Sequence, residues 1–139
     1  MYSKETMEQF RLVTTASVAD AVDQVAGKRG YMEHSIKNRI NDQKIVGPAV
    51  TVKEVPAAPG DAPVGPLHAL EAIDTSPEGS IMVIGVTDHT TEVAVWGGLM
   101  TAGAVSNHLA GAILDAGVRD VTEIKRDFGF PVYARSISP

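Results

Sequence analysis

The stretch VWGGLMTAGAVSNHLAGAILDAGVRDVTEI, residues 95–124, contains the features that decide how this chain folds. The glycine pair Gly97-Gly98 comes near its start, inside a small-residue pattern over residues 92–109 that predicts a helix. Residues 111–114 form a short apolar run, which predicts a buried strand. Arg119 and Asp120 follow, and residues 121–126 are typical of a helical turn or two. The order of these features predicts a strand framed by helices.

The sequence on either side of this stretch repeats the alternation of helices and strands. We predict helices at residues 15–25 and 68–73 and strands at 44–55, 80–86 and 130–134. Thr14 or Thr15 can cap the first of these helices, and Gly27 and Gly30 follow it. Strands alternating with helices indicate an α/β fold with parallel strands. No linker interrupts the chain, so a single domain over residues 1–139 is expected.

Composition narrows the class of protein. The chain has 139 residues, 44% of them hydrophobic and 21% charged, which is typical of a globular domain. The net charge of −5 argues against nucleic acid as a partner. Because there is no cysteine, disulfides, thiolate metal sites and cysteine nucleophiles are excluded. The N-terminus lacks the apolar segment of a signal peptide, and no run approaches the ~20 apolar residues of a membrane span. We therefore expect a soluble, cytoplasmic protein with no membrane partner.

The glycine pair Gly97-Gly98 has two interpretations. At the start of a helix, glycines let a ligand approach unpaired N–H groups at the positive end of the helix dipole. That arrangement would bind a carboxylate or a phosphate. The alternative is that small residues merely allow close helix packing, and the glycines alone favour this second interpretation.

The Arg119-Asp120 pair also has two interpretations. Arg119 offers a planar fork suited to a carboxylate or a keto oxygen, and Asp120 could bind Mg²⁺, which takes one or two carboxylates and keeps its waters. Alternatively, Asp120 caps the following helix with Glu123 as its capping-box partner, and Arg119 is a surface charge. The residues by themselves do not separate these two interpretations.

The remaining polar residues give weaker signals. The histidines show no metal-binding spacing such as HExxH: His34, His68, His89 and His108. Asp88-His89 follows a predicted strand, a position that carries function in many α/β folds, yet a turn role is favoured. Asp115 is interpreted as a turn residue at the end of a strand, and Trp96 as a core or interface residue.

An ordered set of segments resembles one family, which contains the RraA proteins (regulators of RNase E activity) and the class II 4-hydroxy-4-methyl-2-oxoglutarate aldolases. The similar segments are TTASVADAV, VGPAVTV, PEGSIMVIGVTD, WGGLMTAGAVSNHLAGAILDAGVRDVTEI and FPVYARSISP. Together they cover nearly the whole chain. The resemblance implies an RraA-like α/β fold of the swivelling β/β/α type, and a site at the subunit boundary of a homotrimer or a hexamer of trimers.

The resemblance also implies roles for particular residues. The backbone of Gly97, Gly98, Leu99 and Met100 would hold the carboxylate of a pyruvate-derived keto acid. Arg119 would contact the keto acid and stabilise the developing enolate charge. Asp120 would ligate Mg²⁺ or Mn²⁺, largely through a water-rich shell. The implied reaction is cleavage of a small α-keto acid to pyruvate, by retro-aldol chemistry on 4-hydroxy-4-methyl-2-oxoglutarate or by decarboxylation of oxaloacetate.

Two departures from the family pattern bear on this expectation. Aldolase members carry Asp or Glu twenty-one positions before the arginine, where this chain has Gly98. Glu123 or Asp88 would have to substitute for that carboxylate. Family members also continue with further strands beyond the position of Pro139, so the domain is expected to be truncated at its C-terminus.

A non-catalytic regulator is the alternative to an enzyme. An RraA-type regulator would inhibit a ribonuclease by protein contact and would need no metal. Arg119-Asp120 favours the enzyme, whereas Gly98 weakens that assignment. A quinone methyltransferase is rejected because no strand leads into a GxGxxG loop.

Overall fold

The computed structural model describes residues 2–62, 65–87 and 92–139 of the chain. It divides the chain into two compact units, with the boundary between His34 and Ser35. This division into compact units does not test whether residues 1–139 form a single domain, and the single domain stays a prediction. The Asp88-His89 pair lies outside the described residues.

The first unit contains two helices, α1 (Lys4–Leu12) and α2 (Thr15–Ala26). The helix predicted at residues 15–25 is therefore confirmed, whereas α1 was not predicted. Thr14 caps α2 by accepting a hydrogen bond from the N–H of Ser17. Gly27 ends the helix in the left-handed conformation, with φ of 59°. Within the described residues, neither helix buries a side chain.

The second unit is built on a mixed sheet of six strands within the described residues. Its order is β1-β6-β5-β3-β2, and β4 pairs with β5 beside this path. The β1–β6 pair is antiparallel, and all other pairs are parallel. The strands are β1 (Lys37–Asn38), β2 (Ala49–Glu54), β3 (Ile81–Val86), β4 (Ala94–Trp96), β5 (Gly111–Val118) and β6 (Val132–Ile137). The α/β class with mainly parallel strands is thus confirmed.

The central strands β3 and β5 supply a large share of the core. Met82, Ile84 and Leu114 have no exposed surface. Helix α3 (Leu67–Thr75) buries Ala69 and Ile73 in the same cluster. Continuous apolar runs are typical of buried parallel strands, which is why the sequence located β3 and the start of β5 correctly.

The predicted helix over residues 92–109 is wrong at its beginning. The chain forms strand β4 first, and only then helix α4 (Gly98–Ser106). The pairing partners explain the difference: β3 accompanies β5 only as far as Leu114, and β4 pairs with β5 at Gly117 and Val118. The backbone hydrogen bonds of β5 therefore decide the conformation of residues that the sequence pattern left ambiguous.

The interpretation of Asp115 as a turn residue is also wrong. Asp115 lies within β5, and its carboxylate accepts a hydrogen bond from Nε of Arg135 on the neighbouring strand β6. The side chains of both residues are largely buried, at 22% and 11% exposure. An ion pair across adjacent strands therefore accounts for an aspartate inside a strand.

The chain after β5 turns through a short helix, α5 (Val121–Glu123), and a π-helical turn (Ile124–Phe128) before β6. The predicted helical turn or two is confirmed. In the described part of the chain, no helix has the length and apolar character needed to cross a membrane.

Candidate functional site

Two neighbouring strands place the glycine pair beside the Arg-Asp pair. Strand β4 runs parallel to the end of β5, and the N–H of Arg119 donates to the carbonyl oxygen of Trp96 at 2.9 Å. Gly97 and Gly98 follow β4, just as Arg119 and Asp120 follow β5. Because parallel strands end at the same edge of a sheet, the two pairs meet there. The structure thus brings together the two features that the sequence singled out.

The side chain of Asp120 is directed towards the start of helix α4. Its Oδ2 accepts a hydrogen bond from the N–H of Gly98 at 2.9 Å. Asp120 adopts a left-handed conformation, with φ of 56° and ψ of 27°, which is uncommon for a residue other than glycine. Asp120 also precedes α5, but its side chain makes no capping hydrogen bond there. The capping alternative is therefore wrong, because the carboxylate is engaged by the other helix.

The site requires glycine at position 97 for reasons of space. Gly97 has an extended backbone, with φ of −154°, that any residue can adopt. A β-carbon at this position, however, would lie 2.6 Å from Oδ2 of Asp120 and 3.0 Å from Cγ of Arg119. Real β-carbons do not approach other atoms that closely, so a larger residue would displace the carboxylate.

Arg119 provides the positive charge next to this carboxylate. Its Nε lies 3.7 Å from Oδ2 of Asp120, and its side chain is 63% exposed. Both residues line a surface pocket of about 490 Å³ whose other walls come from Ile137, Ser138 and Pro139. An exposed guanidinium beside a fixed carboxylate leaves part of its donor fork available to a ligand in this pocket.

A buried hydrogen-bond network holds the backbone of Gly97 in place. The indole N–H of Trp96 donates to Oγ1 of Thr101 at 2.8 Å, and this hydroxyl donates to the carbonyl oxygen of Gly97 at 2.9 Å. Trp96 is 1% exposed and stacks on Phe130, with ring centroids 6.1 Å apart. The sequence identified Trp96 as a core or interface residue, but it gave no signal for Thr101, because a threonine four residues into a helix is unremarkable until its partners are known.

The predicted substrate-binding backbone is partly engaged already. The N–H of Gly98 is used by Asp120. Leu99 and Met100 lie in the first turn of α4, where a helix offers no backbone acceptor to its own N–H groups. The side chain of Leu99 is 74% exposed, whereas that of Met100 is buried. The binding role predicted for these four residues stays a prediction.

Glu123 brings a second carboxylate to the same place. A β-carbon on Gly98 would lie 3.1 Å from Oε1 of Glu123 and 3.4 Å from its Oε2. Of the two residues that could replace the acidic side chain absent at position 98, Glu123 is thus located beside that position. Asp88 is the other, and it falls outside the described residues.

The donor set is compatible with a hard divalent cation. In the described ranges, no group of three or more His, Cys, Asp or Glu side chains could hold a metal ion. Mg²⁺ needs fewer protein ligands, since it is commonly bound by one or two carboxylates and keeps several waters. Asp120 supplies one carboxylate to the pocket, and a second, that of Glu123, lies beside Gly98, so the residues present fit Mg²⁺ or Mn²⁺.

Comparison with known proteins gives relatives of unequal length. Protein DlpA of Legionella pneumophila is 30% identical over 131 residues, which are 94% of this chain and 20% of DlpA. An uncharacterised protein of Methanocaldococcus jannaschii is 33% identical over 107 residues, 76% of this chain and 48% of that protein. The chain therefore spans less than half the length of either of these relatives.

A solved structure shares the fold. RraAS2 of Streptomyces coelicolor, described as an unusual member of the RNase ES inhibitor RraA protein family, superposes with a TM-score of 0.82 at 17% identity. The match covers 100% of this chain and 67% of that one. Residues 15–139 also match the RraA-like family, described as Aldolase/RraA, and so the match includes both halves of the site. The chain belongs to the RraA-like, Aldolase/RraA family.

Proposed function

We propose that this protein is a divalent-metal-dependent lyase that cleaves a small α-keto acid to pyruvate. The observation that carries the proposal is the hydrogen bond from the N–H of Gly98 to Oδ2 of Asp120. This bond holds a carboxylate next to an exposed guanidinium at the mouth of a pocket. The family assignment supports the same chemistry, since aldolases give the family part of its name.

Each residue of the site has a distinct part in this proposal. Arg119 binds the keto acid and neutralises the negative charge that develops on it as the carbon–carbon bond breaks. Fixed donors directed at such a charge can each contribute about 2.7–4 kcal/mol to catalysis. The first turn of α4, with Leu99 and Met100, offers N–H groups to the substrate carboxylate. Asp120 holds the cation.

The cation is Mg²⁺ or Mn²⁺, which when bound acts as a Lewis acid and withdraws electrons from the bond being cleaved. Retro-aldol cleavage also requires a base to remove the hydroxyl proton, whereas decarboxylation of oxaloacetate requires none. Decarboxylation is therefore the less demanding reaction for this set of residues.

We extend the proposal to the assembly and location of the protein. A homotrimer, or a hexamer of trimers, would place the site at a subunit boundary. The apolar side chains of Leu99 and Ile137, at 74% and 60% exposure, lie at α4 and at the pocket, where a second subunit would cover them. We also propose that the protein is cytoplasmic.

The decisive experiment measures pyruvate release from oxaloacetate and from 4-hydroxy-4-methyl-2-oxoglutarate, with Mg²⁺ or Mn²⁺ and then with a chelator. We expect metal-dependent release that falls at least about 10-fold in Asp120→Asn, because the amide keeps the bond to Gly98 but loses the charge. Asp120→Ala should lose turnover with the fold largely intact. Glu71→Gln, which removes an exposed carboxylate on α3, is the matched control.

The same assay distinguishes the proposed assembly from a monomeric enzyme when oligomer and monomer fractions are compared. A fully active monomer would contradict a shared site. If the assembled protein releases pyruvate from neither substrate, the proposed reaction is contradicted.

The second candidate is an RraA-type regulator that binds and inhibits a ribonuclease. Two observations favour it: the RraAS2 structure shows that this fold occurs in an RNase ES inhibitor family, and the net charge of −5 suits a basic partner surface. Inhibition of a ribonuclease that survives both chelation and Asp120→Asn would support this function over the lyase.

A further inference from the structure

One wall of the pocket beside Arg119 and Asp120 is apolar. Ile137 and Pro139 supply this wall from the end of strand β6. Ile137 is the last residue of the strand, and its side chain is 60% exposed. The pocket of about 490 Å³ therefore has a charged part, formed by the Arg-Asp pair, and an apolar part.

Ser138 lies between the two apolar residues, and its hydrogen-bond donors are already used. Its hydroxyl donates to the carbonyl oxygen of Glu92, and its N–H donates to the carbonyl oxygen of Val118 at 3.1 Å. The residue is only 8% exposed. Because serine has no further donor, Ser138 offers none to a ligand in this part of the pocket.

Arg119 is the only cation among the described residues that line the pocket. Two further cations follow on the connection between β5 and β6, at Lys125 and Arg126, but neither contributes to the lining. The guanidinium of Arg126 is bound to Asp127, with Nε 2.6 Å from Oδ1 and Nη2 2.6 Å from Oδ2. Within this part of the chain, a ligand with two carboxylates therefore finds a cationic partner for one of them only.

The apolar wall affects a second carboxylate and a methyl group in opposite ways. A carboxylate against Ile137 would lose water without gaining a hydrogen-bond partner, and burial of an unpaired polar group is unfavourable. A methyl group in the same place would instead gain from contact with the apolar side chain. The walls of the pocket thus favour a ligand whose far end is uncharged and apolar.

We propose that Ile137 determines substrate specificity, and that the substrate is an α-keto acid whose departing half is apolar and carries no carboxylate. This inference rests on the proposed function and names the substrate class of the same site. Oxaloacetate is a separate case, because its second carboxylate is itself the group that departs as CO₂.

A substrate of the proposed class is 4-hydroxy-4-methyl-2-oxopentanoate. Its cleavage breaks the bond between C3 and C4, and the electron pair of that bond stays with C3. The hydroxyl proton passes to water, and C4 leaves as the carbonyl carbon of acetone. A proton from water returns to C3 and completes pyruvate.

The first test compares this compound with 4-hydroxy-4-methyl-2-oxoglutarate, which has the same skeleton with a carboxylate in place of one methyl group. Rates with Mg²⁺ are counted per bond cleaved, since the dicarboxylate gives two molecules of pyruvate and the methyl compound gives pyruvate and acetone. We expect kcat/KM to be at least about tenfold higher for the methyl compound. An equal or higher value for the dicarboxylate overturns the inference, as it would if a second subunit supplied a cation.

A charge introduced at Ile137 tests the residue itself. Ile137→Lys should shift the ratio of the two kcat/KM values towards the dicarboxylate by about fivefold or more, because it removes an apolar contact and adds an ion pair. Leu67→Lys is the matched control: it adds the same charge at an aliphatic residue of α3 that is 65% exposed and lies outside the pocket lining. An unchanged ratio in Ile137→Lys would show that Ile137 takes no part in substrate recognition.

Binding measurements separate this inference from the proposed reaction. Titration calorimetry with 2-oxopentanoate and 2-oxoglutarate compares a methyl group with a carboxylate on chains of equal length, and neither compound has the hydroxyl group that retro-aldol cleavage requires. We expect 2-oxopentanoate to bind more tightly to the unaltered chain, and Ile137→Lys to reduce the difference. If that holds but no substrate releases pyruvate, the specificity of the pocket stands and the proposed reaction fails. If pyruvate is released but the dicarboxylates are preferred, the lyase stands and the inference is overturned, as it also is if neither compound binds.

Discussion

Gly97 shows how a single residue controls the site through its size. Its backbone conformation is open to any amino acid, so glycine is required here only because Asp120 and Arg119 occupy the adjacent volume. The same residue type at Gly103, later in α4, has an ordinary contact: a β-carbon there would lie 3.5 Å from Cγ2 of Ile73. These two glycines therefore provide a matched comparison within a few residues.

We predict that Gly97→Ala displaces the carboxylate of Asp120 and weakens Mn²⁺ binding by about tenfold or more, since supporting contacts of this kind typically contribute that much. Gly103→Ala should leave Mn²⁺ affinity unchanged and should raise the free energy of unfolding by up to about 0.5–1 kcal/mol, because alanine is the better helix former. Calorimetric titration and urea denaturation measure the two quantities. Equal Mn²⁺ affinities in Gly97→Ala and the unaltered chain would show that the site tolerates a β-carbon.

Helix α4 is fixed to strand β4 by one buried hydroxyl. Thr101 accepts from the indole of Trp96 and donates to the carbonyl oxygen of Gly97, and none of its surface is exposed. A threonine hydroxyl that bonds back four residues usually contributes little to a helix. Here it also provides the acceptor for a buried indole N–H, so its loss affects two elements.

We predict that Thr101→Val lowers the free energy of unfolding by about 1–3 kcal/mol, because valine keeps the shape but leaves the indole N–H of Trp96 without an acceptor. Thr101→Ser keeps the hydroxyl and should lose distinctly less. Urea denaturation of both variants measures the difference. If serine is as destabilising as valine, the methyl group rather than the hydrogen bond is responsible.

The stability of the whole molecule should depend on pH through Glu54, at the end of β2. Burial raises the pKa of its carboxyl group above the ordinary value of 4.5. A raised carboxyl pKa means that the folded state binds the proton more tightly than the unfolded state does. The folded state is therefore favoured while Glu54 is protonated, and this contribution is lost as pH rises through the folded-state pKa.

We predict that Glu54→Gln has a higher free energy of unfolding than the unaltered chain at pH 7, because the neutral amide avoids burying a charge. The difference should disappear below about pH 4, where Glu54 is protonated in both states. Urea denaturation across pH 3.5–7 measures it, and Glu71→Gln, at an exposed carboxylate, is the control. A constant difference at all pH values would assign the effect to packing rather than to ionisation.

The sequence by itself determined the α/β class and the positions of α2 and β3, because apolar periodicity is a local property of the chain. Its resemblance to the family implied that Gly97-Gly98 and Arg119-Asp120 belong to one site. It could not separate β4 from α4, since small apolar side chains suit either structure and the hydrogen-bonding edge of β5 decides between them. Only the tertiary structure showed that Asp120 bonds to Gly98 rather than capping α5, and that the carboxylate of Glu123 lies beside Gly98. Those contacts join residues that are more than twenty positions apart, and their geometry depends on how the ends of β4 and β5 lie side by side.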